Sequence, residues 1–162
     1  MLCSTQHAAP LLHLVGEQQN QFKHEEADVS IISFLLKLNE QHSHIQVTAD
    51  DTDIFLLLVF YICKCKIISL VTMRKHDGRI ININETVAKL GNKSKDILSL
   101  HALTGCDTVS YPFGKGKMTA VNMLMKSDLN LEHMCLVHTS SEEFLRIGTA
   151  FLVSVLWRQT YD

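Results

Sequence analysis

An unbroken apolar run from Ile54 to Cys63 constrains the fold of this chain more than any other stretch. It is too short to cross a bilayer, which takes about 20 apolar residues, and the charged residues Lys64 and Lys66 follow it. A run that is apolar on every face suits either a buried helix or a central strand, and periodicity does not decide between them. Asp51 and Thr52 favour the helix, because both residue types cap helix N-termini.

Helix-like and strand-like segments alternate on both sides of this run. Apolar residues between Ala27 and Leu38 recur at helical spacing behind an acidic first turn, and Ile45 to Ala49 alternates as a strand does. Further strands are expected over Ile67 to Met73 and Ile80 to Ile83, and further helices over 84–90, 94–103, 117–126 and 140–157. This alternation predicts a layered α/β domain with a mainly parallel sheet flanked by helices.

Length and composition limit the classes of protein that this chain can belong to. Its 162 residues fit a single domain, with a poorly patterned lead-in over 1–23, an internal region over 24–126 and a C-terminal helical part over 127–162. A net charge of −2 argues against a generally basic surface, so any contact with phosphate must be local. Five cysteines without a regular even-numbered framework predict reduced thiols in an intracellular protein. No membrane span is expected.

Acidic residues recur where a parallel sheet places its ligands. Asp51 and Asp53 directly follow the predicted strand Ile45 to Ala49, at its carboxyl end. Glu26 and Asp28 open the preceding helix, which can bring them toward the same edge of the sheet. Clustered carboxylates repel one another unless a cation holds them, and hard oxygen ligands select Mg²⁺ or Mn²⁺. Each acid also has a purely structural explanation, as a helix-dipole partner, a helix cap or a turn residue.

The stretch from His101 to Lys117, HALTGCDTVSYPFGKGK, joins a further acid to a turn that suits an anion. Asp107 follows the predicted helix over 94–103. Glycines allow the backbone to approach a ligand closely, and the helix that follows directs free N–H groups at it. The residues of this turn are Gly114, Lys115, Gly116 and Lys117. A plain helix connection with solvated lysines and an ordinary turn acid is the alternative interpretation.

These motifs together resemble one known family. The series Glu26-Ala-Asp28, Thr48-Ala-Asp-Asp51-Thr-Asp53, Gly105-Cys-Asp107 and Gly114-Lys-Gly116-Lys117 is similar to the internal region of the flap-endonuclease and XPG-type 5′-nucleases, which belong to the wider PIN-like fold. The series looks closer still to PIN-like proteins associated with animal transposable elements. The resemblance covers about residues 23 to 126.

The resemblance implies a PIN-like, Rossmann-like domain followed by a helix-turn-helix element, with structure-specific 5′-nuclease activity. The implied ligands of two Mg²⁺ or Mn²⁺ ions are Glu26, Asp28, Asp51, Asp53 and Asp107, and the last three are the implied catalytic residues. The residues from Gly114 to Lys117 would hold the phosphate backbone of DNA, rather than RNA, with a monovalent cation such as K⁺ in the turn. Two divalent ions would activate water for phosphodiester hydrolysis.

One departure from the family pattern keeps a second interpretation open. The related nucleases begin with a strand that carries another metal-binding aspartate, whereas Met1 to Lys23 contains no aspartate. The chain is therefore expected to be the later part of a longer domain. The alternative to a nuclease is a catalytically inactive, transposon-derived remnant that binds nucleic acid or protein through the same surface. Either protein would be intracellular, with the nucleus as one option.

Overall fold

A computed structural model of the protein describes residues 27–105, 117–135 and 139–157. The α-helices in these ranges are α1 (Ala27–Leu38), α2 (Thr52–Lys64), α3 (Ile83–Leu90), α4 (Ile97–Thr104), α5 (Lys117–Lys126) and α6 (Ser141–Trp157). The strands are β1 (His44–Thr48), β2 (Leu70–Arg74) and β3 (Ile80–Asn82), and 3₁₀ turns occupy Gly91–Asp96 and Glu132–Cys135. The predicted α/β class is confirmed. The lead-in over 1–23 lies outside the described residues.

The described strands form one mixed sheet in the order β1-β2-β3. β1 and β2 are parallel, with Ile45 opposite Val71, whereas β2 and β3 are antiparallel, with Met73 opposite Ile81. The expectation of a mainly parallel sheet therefore holds for only one of these two pairs. The reason lies in the connections: α2 provides the long crossover that parallel strands need, while the short turn at Gly78 can join only antiparallel strands.

The apolar run after Asp51 is a helix, as its cap residues predicted. Asp51 has extended backbone angles, and its side chain accepts a hydrogen bond from the N–H of Asp53. α2 packs against α1, α3 and α4, which explains why it is apolar on nearly every face. Its buried residues are Ile54, Leu56, Leu58, Val59, Phe60 and Ile62. α2 is thus the central helix of the described core.

The strand predicted from Ile67 to Met73 begins only at Leu70, so its predicted start is wrong. One local and one long-range interaction keep the preceding residues out of the sheet. The N–H of Ile67 donates to the carbonyl of Ile62, which extends the C-terminal turn of α2. The N–H and hydroxyl of Ser69 donate to Oδ1 of Asn39, at 3.1 and 2.9 Å. Because Asn39 directly follows α1, this tether fixes the C-terminal end of α1 where β2 begins.

The connection between α3 and α4 is only partly as predicted. Gly91 closes α3 with a positive φ of 56°, and its N–H donates to the carbonyl of Val87, as expected of a helix-terminating glycine. The helix predicted over 94–103 forms a 3₁₀ turn up to Asp96 and becomes α-helical at Ile97. α4 therefore begins later than the pattern indicated, and it delivers its last turn to the neighbourhood of α2.

The last helix begins with a side-chain cap. The N–H of Glu143 donates to the hydroxyl of Ser140 at 3.2 Å, which satisfies one free donor of the first turn. Ile147, Phe151 and Val155 are buried on one face. Phe144, three residues before Ile147 in the same helix, is 45% exposed.

Candidate functional site

Three neighbouring acids after β1 point to three different partners. Oδ1 of Asp51 accepts the N–H of Asp53 at 2.8 Å and so caps α2. The carboxylate of Asp50 faces the β2–β3 hairpin, where it accepts the N–H of His76 at 3.1 Å and pairs with its imidazole. The carboxylate of Asp53 lies against His101 of α4. Asp51 therefore caps α2 and Asp53 belongs to its first turn, while Asp50 contacts the hairpin.

The contact between Asp53 and His101 brings two distant helices together. Nε2 of His101 lies 2.8 Å from Oδ1 of Asp53, and the two side chains are 12% and 39% exposed, respectively. His101 belongs to the last turn of α4 and Asp53 to the first turn of α2. The end of α4 consequently lies beside Asp53.

Asp28 lies in the first turn of α1. The tether between Asn39 and Ser69 holds the C-terminal end of α1 at the edge where the parallel strands begin. α1 packs against α2, the helix that Asp51 caps.

We call the edge of the sheet where β1 and β2 end the carboxyl edge. The start of α2 lies there, and the end of α4 lies beside the start of α2. Of the five predicted metal ligands, Asp51 and Asp53 lie at this edge and Asp28 lies in the first turn of α1, whereas Glu26 and Asp107 lie outside the described residues. Within residues 27–105, 117–135 and 139–157, no three His, Cys, Asp or Glu side chains form a group that could hold one metal ion.

The predicted phosphate-binding turn is described at one position only. Lys117 is the first residue of α5, and it is exposed. Gly114, Lys115 and Gly116 lie outside the described residues. Because α5 packs against α4, and α4 against α2, Lys117 belongs to the same group of helices as Asp53.

Asp96 is a buried acid whose role the sequence did not reveal. This residue is 3% exposed, and Oδ1 accepts the N–H of Leu131 at 2.8 Å. Nearby, Lys93 donates to the carbonyl of Leu129 at 2.6 Å and Ser99 to the carbonyl of Leu131 at 2.8 Å. Burial raises the pKa of the Asp96 carboxyl, while the N–H of Leu131 and the charge of Lys93 act in the opposite direction. These bonds join the segment after α5 to α4 and to the 3₁₀ turn that precedes it.

Asp96 gives a testable dependence of stability on pH. Because its pKa in the folded chain is raised above the ordinary value of 3.8, the folded state holds more protons than the unfolded state between the two values. The free energy of unfolding contributed by this group therefore falls as pH rises through that window. Asn at this position keeps the acceptor but has no proton to lose. The stability of Asp96→Asn relative to wild type should rise with pH and then level off.

Urea unfolding at a series of pH values measures this difference. Asp96→Ala is the control for the hydrogen bond, because it leaves the buried N–H of Leu131 without its acceptor. Its loss of about 1–3 kcal/mol should persist at low pH, where burying the carboxyl group carries no charge penalty. A difference between Asp96→Asn and wild type that does not vary with pH would show that burial leaves this carboxyl unperturbed.

No protein-family model, curated protein or solved structure matches this chain. Among the described residues, every helix is too short or too polar to span a membrane.

Proposed function

We propose that this chain is a PIN-like nuclease domain of the 5′-nuclease type, which uses divalent metal ions to hydrolyse phosphodiester bonds in DNA. One observation carries the proposal. Asp51 and Asp53 lie where parallel sheets bind their ligands, at the N-cap and in the first turn of α2, and His101 in the last turn of α4 lies against Asp53. The order of the acidic motifs along the chain supports the same assignment.

The carboxylates at the carboxyl edge have the properties that metal ligands need. Asp51 is exposed and Asp53 is partly exposed, so both can be reached by an ion and by a substrate. Capping uses one oxygen of Asp51 for one hydrogen bond, and a carboxylate offers about four lone-pair sites. Carboxylate oxygens fit Mg²⁺ and Mn²⁺. Asp28, Asp51 and Asp53 would hold these ions together with Glu26 and Asp107.

Each part of the site then has a distinct task. Bound divalent ions would supply an activated water molecule and stabilise the charge on the leaving oxygen. The carboxylates fix where the ions sit, and the capped start of α2 fixes the carboxylates. Lys117, with Lys115 and the glycines at 114 and 116, would bind the phosphate backbone without regard to sequence, and K⁺ would occupy the turn. Such binding weakens as salt concentration rises.

A cleavage assay on the unmodified chain tests the proposal. The chain is incubated with branched, duplex and single-stranded DNA and with matched RNA, in Mn²⁺, in Mg²⁺ and in a chelator. We expect cutting of DNA that depends on the metal. If no substrate is cut in either metal, the proposal that the chain is a nuclease is overturned. Salt-sensitive binding of DNA in that case, weakened by Lys117→Ala, would instead support an inactive remnant that binds nucleic acid.

The double role of Asp51 can be separated by two substitutions. Asp51→Ala removes both the cap and the ligand, so we expect a loss of about 1 kcal/mol in the free energy of unfolding and a loss of cleavage. Asp51→Ser keeps a hydroxyl that can cap α2, and it should be nearly as stable as wild type but equally inactive. Urea unfolding and initial cleavage rates measure the two effects. Full activity in Asp51→Ser would show that Asp51 is a cap only.

A further inference from the structure

Neither packing nor helix formation explains why the polar ring of His101 is buried. Its side chain is 12% exposed, and both ring nitrogens are buried. Neither nitrogen makes a hydrogen bond within the part of the chain that the structure describes. A buried polar group without a partner costs free energy, so such groups are normally satisfied or serve a function. The imidazole therefore has unused donor or acceptor capacity beside Asp53.

The distance between His101 and Asp53 fits a shared metal ion. Nε2 and Oδ1 are only 2.8 Å apart, yet the two groups are not aligned as a hydrogen bond. Neighbouring ligands of an octahedral ion with bonds of about 2.1 Å lie at right angles, so their atoms are about 3 Å apart. Two ligands of one ion are expected to lie this close together without a hydrogen bond between them. The positions of His101 and Asp53 meet both conditions.

We propose that Nε2 of His101 is a nitrogen ligand of the metal that Asp53 binds, and that the site consequently prefers a divalent transition metal such as Mn²⁺ over Mg²⁺. The inference rests on the metal site of the proposed function, but it adds a ligand that the acidic motifs do not contain. Imidazole suits transition metals, whereas Mg²⁺ takes oxygen ligands and gives up water reluctantly. The partly exposed side of Asp53 leaves the ion a path from solvent.

The competing explanation is that His101 only orients Asp53. Glutamine separates the two, because its amide can donate a hydrogen bond to the carboxylate but provides no imidazole nitrogen for a metal. His44 supplies a matched control. Its Nε2 lies 3.1 Å from the hydroxyl of Thr72, within hydrogen-bonding geometry, at the start of β1 and away from the carboxyl edge.

The experiment compares wild type, His101→Gln and His44→Gln as full chains. Thermal unfolding is recorded in Mn²⁺ and in Mg²⁺, and pulsed electron paramagnetic resonance of bound Mn²⁺ detects coordinated nitrogen. We expect Mn²⁺ to raise the melting temperature of wild type and His44→Gln more than Mg²⁺ does. His101→Gln should lose that excess, with a Mn²⁺ affinity lower by about tenfold or more, and should lose the nitrogen signal.

Wild type labelled with ¹⁵N-histidine provides a test that needs no substitution, because the nitrogen signal must change with the isotope. The inference is overturned if that signal is absent, if it persists in His101→Gln, or if Mn²⁺ and Mg²⁺ stabilise wild type equally. None of these readouts requires cleavage. Equal stabilisation together with Mg²⁺-dependent cutting would refute the histidine ligand and leave the nuclease intact. Mn²⁺ bound through His101 without any cutting would refute the nuclease and leave the histidine ligand intact.

Discussion

Replacing Asp53 with Asn should lower the initial rate of metal-dependent DNA cleavage by about 100-fold or more. Changes to groups that merely support a metal ligand already cost 10–100-fold, so the loss of a ligand itself should reach the upper end of that range. The fold should survive, because Asn has the same size and Asp53 is partly exposed. Its charge favours the start of α2 by no more than about 1 kcal/mol. Cleavage rates in saturating Mn²⁺, together with urea unfolding, measure both quantities.

Asp50→Asn is the matched control for this change. Asp50 stands three positions earlier, carries the same charge and lies next to the same turn, but its carboxylate faces His76 in the hairpin. An Asn there can still accept the N–H of His76. We expect its cleavage rate to remain close to that of wild type. Equal losses in the two variants would mean that negative charge at the carboxyl edge matters in general and that Asp53 is no specific ligand.

Local signals in the sequence were sufficient to predict most helices and strands of the described fold. The helix from Thr52 to Lys64 was ambiguous by periodicity, and the cap at Asp51 decided it correctly, because capping involves only neighbouring residues. The predicted end of α3 at residue 90 is correct for the same reason, because Gly91 follows it directly. The placement of Asp51 and Asp53 at the carboxyl edge also followed from local order, since both residues come shortly after the end of β1.

Contacts between distant segments could not be predicted in the same way. The start of β2 was misplaced because Asn39, far away in the chain, holds Ser69 outside the sheet. No pattern near His101 in the sequence indicates that α4 ends against Asp53. Asp96 resembles an ordinary acid at a helix start until Leu131 is seen to donate to it. In each case the deciding partner lies in another element.

Replacing Leu58 with Ala should lower the free energy of unfolding by about 2–5 kcal/mol. Leu58 is fully buried in the middle of the helix. The substitution removes apolar surface from the core and leaves a cavity, and the close packing around α2 limits how far its neighbours can fill it. A loss of this size is a large part of the total stability of a domain. Urea or thermal unfolding measures it directly.

Leu57→Ala is the matched control for Leu58→Ala. Leu57 is only partly buried, and it is the same residue type one position earlier in the same helix. The change in helix propensity is therefore nearly identical in the two variants, and the difference between them reports burial alone. We expect Leu57→Ala to lose clearly less stability than Leu58→Ala. Equal losses would mean that α2 does not bury the face that carries Leu58, and the capped first turn with Asp51 and Asp53 would then be oriented differently toward the sheet.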